Sequence, residues 1–382
     1  MKVLFFCVWG TVFFMIAKMA APYVVERVGI SWHSGSQTSD AAAQLAKPIL
    51  TVGRPPLVLP EPVTSLAWSD KGRVMAVAYH SGSFLRVFDA AGHAREEIYA
   101  DLPNPDNTLV LLDAGRVLAS GAIDKGADAT DAMVSLWDTD AGSLINRLPG
   151  PQPAGNHVRA VAKSADEAFF ATVSGTAAAD SVTVFDSQTR TPVYRGSAHD
   201  LVSLDAVGGI DLSGDGGLLA LGAGPRIVIR NLRDGGSGPP ALSMEAFKGS
   251  GRRPVQSVSF SRDGKRVAAG AGPPLPDVTA ALPYSIGIWD VERGKLRRSL
   301  PLDLSPVRAL AFSPSGRYLA IVPGDQTVRV WQPDAPNAPV PSTLQFGSPV
   351  AGIAWLGDDA SLAIAVGSAI EFITVSDPDT PP

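Results

Sequence analysis

The chain has 382 residues, 45% of them apolar and 18% charged, which excludes a wholly disordered polypeptide. Lys and Arg total 32 against 37 Asp and Glu, a formal charge of −5, so no nucleic-acid partner is implied. With 38 Gly, 32 Pro and 1 Cys, the composition excludes a helical bundle, a disulfide framework and a cysteine-rich metal or iron–sulfur centre; it suits many short strands joined by turns.

Residues 1–25 read as a targeting segment. Lys2 precedes an uncharged run from Val3 to Ala17, Lys18 interrupts it, and apolar character continues to Val25. One basic residue before an apolar core is the pattern of a signal peptide or a short membrane anchor. The uncharged run falls short of the roughly 18–20 residues that span a bilayer, unless Lys18 snorkels. Cleavage after Ala20 or Ala21 would put Lys18 or Met19 at the minus-three position, which favours a retained anchor. Cys7 stands too early for a lipoprotein signal, and its LFFC context lacks the small residue expected before Cys. The expectation is an exported or membrane-anchored protein, in contact with the membrane through residues 3–25 if uncleaved, with the rest outside the cytoplasm. The alternative is a cytoplasmic protein with a mis-assigned start or a buried N-terminal helix. Residues 26–47 read as a linker, with Asp40 placed to cap a short helix.

From residue 63 one pattern returns seven times: an alternating apolar strand, a polar turn usually ending in Gly, a second apolar strand, a variable loop, and a third strand most often ending in an aromatic and Asp. The copies begin at Val63, Asp106, Val158, Val207, Val255, Val307 and Val350, 43 to 52 residues apart. That period fits one four-stranded propeller blade per copy. The third strands end in Phe88-Asp89, Trp137-Asp138, Phe185-Asp186, Arg230-Asn231, Trp289-Asp290 and Trp331-Gln332 in the first six copies. Phe88, Trp137, Phe185, Trp289 and Trp331 are expected to be inter-blade core. The turn glycines Gly72, Gly115, Gly216, Gly264 and Gly316 are expected to supply positive φ in tight hairpins.

These Trp-Asp and Phe-Asp endings, with turns such as SPSG at Ser313–Gly316 and SRDG at Ser261–Gly264, resemble the WD40-type seven-bladed β-propeller family. The Gly-His dipeptide of that family is largely missing, with only Asn156-His157 and Ala198-His199 as partial versions, so the repeats are degenerate. The resemblance implies an all-β fold of four-stranded antiparallel blades over residues 48–376, followed by a polar tail at 377–382. It also implies a rigid platform for a protein or peptide partner. After Thr374 the chain is too polar and Pro-rich for an outer strand, whereas PILTV at Pro48–Val52 stands in the equivalent place before the first copy. That segment is expected to pair with the last blade and close the ring.

In such a meander the connections between second and third strands, and those leading into each first strand, emerge on one end. The long inserts Ala122–Ala132, Ser174–Asp180 and Ala271–Tyr284 therefore share a face with His157, Arg159, Arg252, Arg253, Tyr284 and Arg308, which become the candidate partner-binding residues. Asp124, Asp128, Asp131 and Asp277 lack a calcium-loop spacing, the histidines form no HxH or HxxxH pair, and no GxSxG elbow occurs, so no catalytic residue, metal site or cofactor is expected. A non-catalytic interaction scaffold is the favoured reading. A lactonase-like propeller hydrolase and a small-ligand or glycan sensor are the rivals; either needs polar groups converging on the central channel.

Overall fold

In a computed structural model of the chain, the described residues are 47–80, 84–99, 109–123, 132–149, 158–174, 181–197, 207–233, 242–245, 254–272, 284–302, 305–335 and 341–377. They form seven four-stranded antiparallel sheets, each a meander from an inner to an outer strand. Blade one runs through Val63–Ser69, Val74–Tyr79, Phe84–Asp89 and Ala94–Tyr99. The inner strands of blades two to seven are Leu109–Leu112, Val158–Lys163, Val207–Leu212, Val255–Phe260, Val307–Phe312 and Val350–Trp355. The fold is an all-β seven-bladed propeller. The targeting segment and nearly all of the linker lie outside the described residues, and among the described residues no helix is long and apolar enough to cross a membrane.

Two rows of side chains explain why these strands assemble into a ring. On the second strands, Ala76, Ala119, Ala171, Ala220, Ala268, Ala320 and Ala363 occupy one equivalent position, all fully buried. The third-strand residues paired with them are larger: Val87, Leu136, Val184, Ile229, Ile288, Val330 and Phe372. One residue along the chain, on the opposite face, stand Met75, Leu118, Phe170, Leu219, Val267, Leu319 and Leu362, paired with Phe88, Trp137, Phe185, Arg230, Trp289, Trp331 and Ile373. Successive strand residues point to opposite faces, so each blade has an alanine face and a bulky face. The bulky face of each blade packs on the alanine face of the blade before it: Met75 and Phe88 on Ala363 and Phe372, Leu212 and Leu219 on Ala171 and Val184, Trp289 on Ala220 and Ile229.

The repeat aromatics are therefore wedges between sheets. Phe88, Phe185, Trp289 and Trp331 are buried, and Phe185 stacks on Phe170 with centroids 5.0 Å apart. Trp137 is partly buried and donates its indole N–H to Ser120 Oγ at 2.9 Å. The ring of Trp289 folds back over Gly287, where an added Cβ would meet it at 2.1 Å; the glycine leaves room for the indole. Arg230 fills the aromatic slot of blade four and is buried there.

The Asp that follows the aromatic acts locally. Its carboxylate accepts backbone N–H groups of the next turn: Ala91 and His93 on Asp89, Asp140 and Ala141 on Asp138, Gln188 and Thr189 on Asp186, and Arg293 on Asp290. Each is an Asx turn that closes the hairpin to the outer strand. The same N–H bonds hold the carboxyls of Asp89, Asp186 and Asp290 below the usual range.

The first hairpins of blades three to six are closed by a buried serine. The hydroxyls of Ser164, Ser213, Ser261 and Ser313 accept the N–H five residues on, at 2.9 to 3.1 Å. Gly115, Gly216, Gly264 and Gly316 have φ of 79°, 68°, 69° and 75°, as these turns require. Gly72 differs: the positive φ of 49° falls on Arg73 instead. A Cβ on Gly72 would lie 1.7 Å from the Ala114 carbonyl, so this glycine is required for contact with blade two.

Ring closure joins the two ends of the propeller. Ile49–Val58 runs antiparallel to Ala369–Ser376 as the outer strand of blade seven, with Ile49 opposite Ser376 and Val58 opposite Ala369. It extends past Val52 through two irregularities, flanking Arg54. Arg54 stacks its guanidinium over Phe372 at 3.5 Å and donates to the Ala90 carbonyl at 2.7 Å, tying the strand to blade one as well. At the other end of the domain, Asp377 pairs with Arg317.

Two measurements test this packing. Deleting residues 48–52 exposes part of the Ala369–Ser376 edge and is expected to lower stability by about 3 kcal/mol in urea unfolding; an unchanged midpoint would remove the closing role. Trp289→Ala leaves a hole over Ala220 and Ile229 and is expected to lose about 3–5 kcal/mol.

Candidate functional site

The inner strands surround a central channel whose two ends are built differently. At the upper end, six of the seven inner strands carry a register irregularity directly after their first residue. The displaced residues are Thr64, Arg159, Gly208, Gln256, Arg308 and Ala351. A bulge re-aims the side chain it carries. Thr64, Gln256, Arg308 and Ala351 accordingly line an open funnel of about 720 Å³, together with His80 and the prolines Pro62, Pro306 and Pro349.

The prolines are placed for a reason. Each stands just before an inner strand, and the carbonyls of Pro62, Pro254 and Pro306 accept N–H groups of His80, Gly272 and Gly324 from the connection between second and third strands. A proline there has no N–H to leave unpaired. Neighbouring blades are stitched at the same level, by Val63 N–H to the Gly367 carbonyl and Val255 N–H to the Gly224 carbonyl.

Of the six sequence candidates, Arg308 is exposed in this funnel. Arg159 occupies the equivalent bulge of blade three, and its Nη2 donates to the Val207 carbonyl of blade four at 3.1 Å. Tyr284 opens the third strand of blade five, opposite Leu302. His157, Arg252 and Arg253 lie outside the described residues, as do Asp124, Asp128, Asp131 and Asp277. Arg159 and Arg308 share one repeat position, and the structure places a bulge there that sequence alternation does not reveal.

The lower channel is a second cavity, of about 390 Å³, to which all seven inner strands contribute. Its lining mixes apolar and polar groups and includes charged side chains that sequence reasoning passed over: Asp70, Lys163, Asp211 and Arg262. Arg262 Nη1 reaches Asp70 Oδ2 at 3.6 Å, joining blade five to blade one across the lower mouth, and Trp68 Nε1 donates to the other Asp70 oxygen at 2.8 Å. Lys163 Nζ lies 2.7 Å from Glu167 Oε1. Glu167 adopts φ 58° in the first turn of blade three and is itself buried. It also accepts the Ser69 hydroxyl at 2.7 Å and the Ala114 N–H at 2.8 Å, so one carboxylate joins three blades. Burial pushes the Lys163 ammonium down, against the opposing pull of Glu167.

Asp211 is the odd residue of its ring. The equivalent inner-strand position, opposite the alanine row, holds Ala67, Val110, Ala162, Ser259, Ala311 and Ala354 in the other blades. Ser259 Oγ accepts the Phe312 N–H of the following blade at 3.3 Å. Asp211 Oδ2 makes the same cross-blade bond to the Phe260 N–H at 2.7 Å, while Oδ1 accepts the Leu212 N–H at 2.9 Å. Desolvation nevertheless dominates those two bonds and raises its pKa to about 7.

Comparison with known proteins agrees with this geometry. The family described as lipoprotein LpqB beta-propeller domain matches residues 132–269, from the third strand of blade two to the second strand of blade five. The family described as WD domain, G-beta repeat matches residues 294–332, which cover the outer strand of blade five and the first three strands of blade six. The chain is a seven-bladed β-propeller that is similar in part to the LpqB propeller domain and in part to a WD40 repeat. The matched WD repeat begins one strand before its blade, as Ile49–Val58 precedes blade one and completes blade seven. A periodic tryptophan protein 2 homolog from Neurospora crassa is 33% identical over 95 residues, which are 25% of this chain and 10% of that protein. The chain therefore matches about a tenth of that relative's length.

The raised pKa of Asp211 has a definite sign. Between pH 4 and about 7 the folded propeller holds a proton that the unfolded chain has lost, so Asp211 lowers stability progressively as pH rises through that window and no further above it. Asp211→Ser keeps an acceptor for Phe260, as Ser259 does for Phe312. The difference in unfolding free energy between variant and parent is expected to grow in the variant's favour from pH 4 to 7. Glu371, whose pKa burial also raises, cancels in that difference. A pH-independent difference would remove the charge from Asp211 as the cause.

Proposed function

We propose that the propeller is a non-catalytic docking platform whose upper face binds a protein or peptide partner. The observation that carries this reading is the bulge ring. It turns Arg159 and Arg308 toward the level at which the most variable connections leave the blades, above a funnel rimmed by prolines. WD40 propellers generally bind proteins, and a rigid concave surface loses little conformational freedom on docking. The lower face is used differently: its turns are closed by Ser and Asp bonds within each blade, and Glu167 ties three blades together. The paired state of Asp70, Lys163 and Glu167 supports a structural role for these residues over a catalytic one.

The residues preceding the propeller bear on where docking takes place. The uncharged run Val3–Ala17 and the match to a lipoprotein's propeller domain together support an envelope location outside the cytoplasm. In this reading residues 1–25 deliver or anchor the chain, residues 26–47 are the spacer, residues 48–376 the propeller and residues 377–382 a polar tail.

The test is crosslinking in cells of the source, using the full chain with a C-terminal tag and separated membrane and soluble fractions. A specific partner is expected in the membrane fraction. Arg308→Glu, or removal of residues 273–283, is expected to reduce its recovery about tenfold, the effect of losing roughly 1.4 kcal/mol, while Lys295→Glu on an outer strand leaves it unchanged. Equal loss in the Lys295 variant, or a partner indifferent to both upper-face changes, would overturn the assignment.

A further inference from the structure

The upper funnel is lopsided, and its asymmetry bears on the chemistry of what docks there. Among the described residues its lining comes from blades five, six, seven and one, with none from blades two to four. Blade seven has Ala351 at the bulge position and adds Gly367 from the turn between its second and third strands. These small residues leave the space open above blade seven. Arg308 of blade six flanks it on one side, and Thr64 and His80 of blade one flank it on the other.

The wall of this space has charge of one sign. Arg308 lines it, and no Asp or Glu does among the described residues. The lower channel differs, since it sets Asp70 against Arg262 and Lys163 beside Glu167. Arg308 is exposed and has no ion-pair or hydrogen-bond partner among the described residues. A concave wall of one sign focuses its field on the space it encloses, so an anion is favoured there even though the chain as a whole is at −5.

The neighbouring bulge adds a second requirement. Gln256 of blade five packs over Gly272, where an added Cβ would lie 2.9 Å from its side-chain oxygen. That Oε1 is buried and has no hydrogen-bond partner among the described residues. A buried acceptor left unpaired is costly, and a ligand N–H relieves the cost. An unmatched cation and an unpaired acceptor on adjacent blades together suit a ligand that carries carboxylate and N–H in one chain. A peptide with acidic side chains has both. A phosphodiester strand has the anion but no backbone N–H, and a single arginine is not the basic stripe that nucleic acid requires.

We propose that the funnel above blade seven binds an acidic peptide segment, with a carboxylate on Arg308 and a backbone N–H on Gln256 Oε1. The proposal rests on the docking reading above and names the class of segment that docks. A guanidinium takes a carboxylate through two parallel hydrogen bonds, which fixes its orientation as well as its charge.

The experiment is calorimetry on the full chain in mild detergent, with hexaglutamate blocked at both ends as the probe. Saturable binding is expected, with blocked hexaglutamine and hexalysine each weaker by about tenfold or more. Arg308→Gln is expected to weaken hexaglutamate about tenfold, and Arg308→Lys less, because lysine keeps the charge without the paired bonds. Lys295→Gln removes an exposed cation from the outer strand of blade five and is expected to change nothing. Gln256→Met is expected to cost hexaglutamate about threefold and to leave unchanged the weaker binding of tricarballylate, which has carboxylates but no N–H. Hexaglutamine binding as well as hexaglutamate, indifference to Arg308→Gln, equal loss in Lys295→Gln, tighter binding of hexathymidylate, or no saturable binding would overturn the assignment. The two readings fail separately. A crosslinked partner lost on removal of residues 273–283 keeps the docking reading when hexaglutamate fails, and absence of any partner withdraws that reading even when hexaglutamate binds.

Discussion

The constraint on which this structure rests is that sheets arranged around one axis converge inward. Adjacent blades are closest at the inner strands and diverge toward the rim, so the side chains between them must increase in size with radius. The alanine row meets this requirement at the second strand of every blade, and the Val, Leu, Ile and Phe residues paired with it fill the wider space at the third strand. The aromatic row on the opposite face completes each seam. A wedge on one sheet needs a shallow surface on the next, and each blade supplies both. No blade can bury its two faces alone, which makes closure a condition for the last seam.

Much of this was legible in the sequence because it repeats. The return of alternating strand, glycine turn and aromatic ending locates the blades, and the Trp-Asp endings give the family likeness. The phase offset was legible too, in a C-terminal tail that offers no outer strand and an N-terminal segment that does. The length of that strand was not: the segment expected to close the ring ends at Val52, ahead of Arg-Pro-Pro at residues 54–56. In the structure Arg54 is held by Phe372 and Ala90, and the strand continues to Val58. Gly72 was misassigned for a related reason: the turn motif predicts a left-handed glycine, whereas contact with Ala114 of the next blade decides its role.

The candidate site was less legible, and the bulges are the cause. Strict alternation assigns every second residue of an inner strand to one face, but an extra residue after the first position changes the register for all that follow. Arg159 and Arg308 stand second in their copies, so their equivalence is readable from the repeat; the bulge that displaces both emerges only from the pairing. Lys163 and Asp211 stand in plain view in VRAVAK and VGGIDL, yet nothing local distinguishes a channel-lining charge from an exposed one. Glu167 is harder still, since its partners Ser69 and Ala114 are 98 and 53 residues away.

Asp211 shows how a structural position acquires chemistry. The cross-blade bond it makes to Phe260 is one that Ser259 makes, less closely, to Phe312 with a neutral hydroxyl. A carboxylate makes that bond shorter, but burial then disfavours the charge that strengthens it. Packing alone does not call for this exchange, because four of the six other blades carry alanine at the same point and remain joined. The charge adds something the seam does not require: two further acceptor sites beside the lower channel. A neutral hydroxyl makes the same joint in the neighbouring blade, so the charge of Asp211 costs stability at neutral pH that the seam itself does not recover.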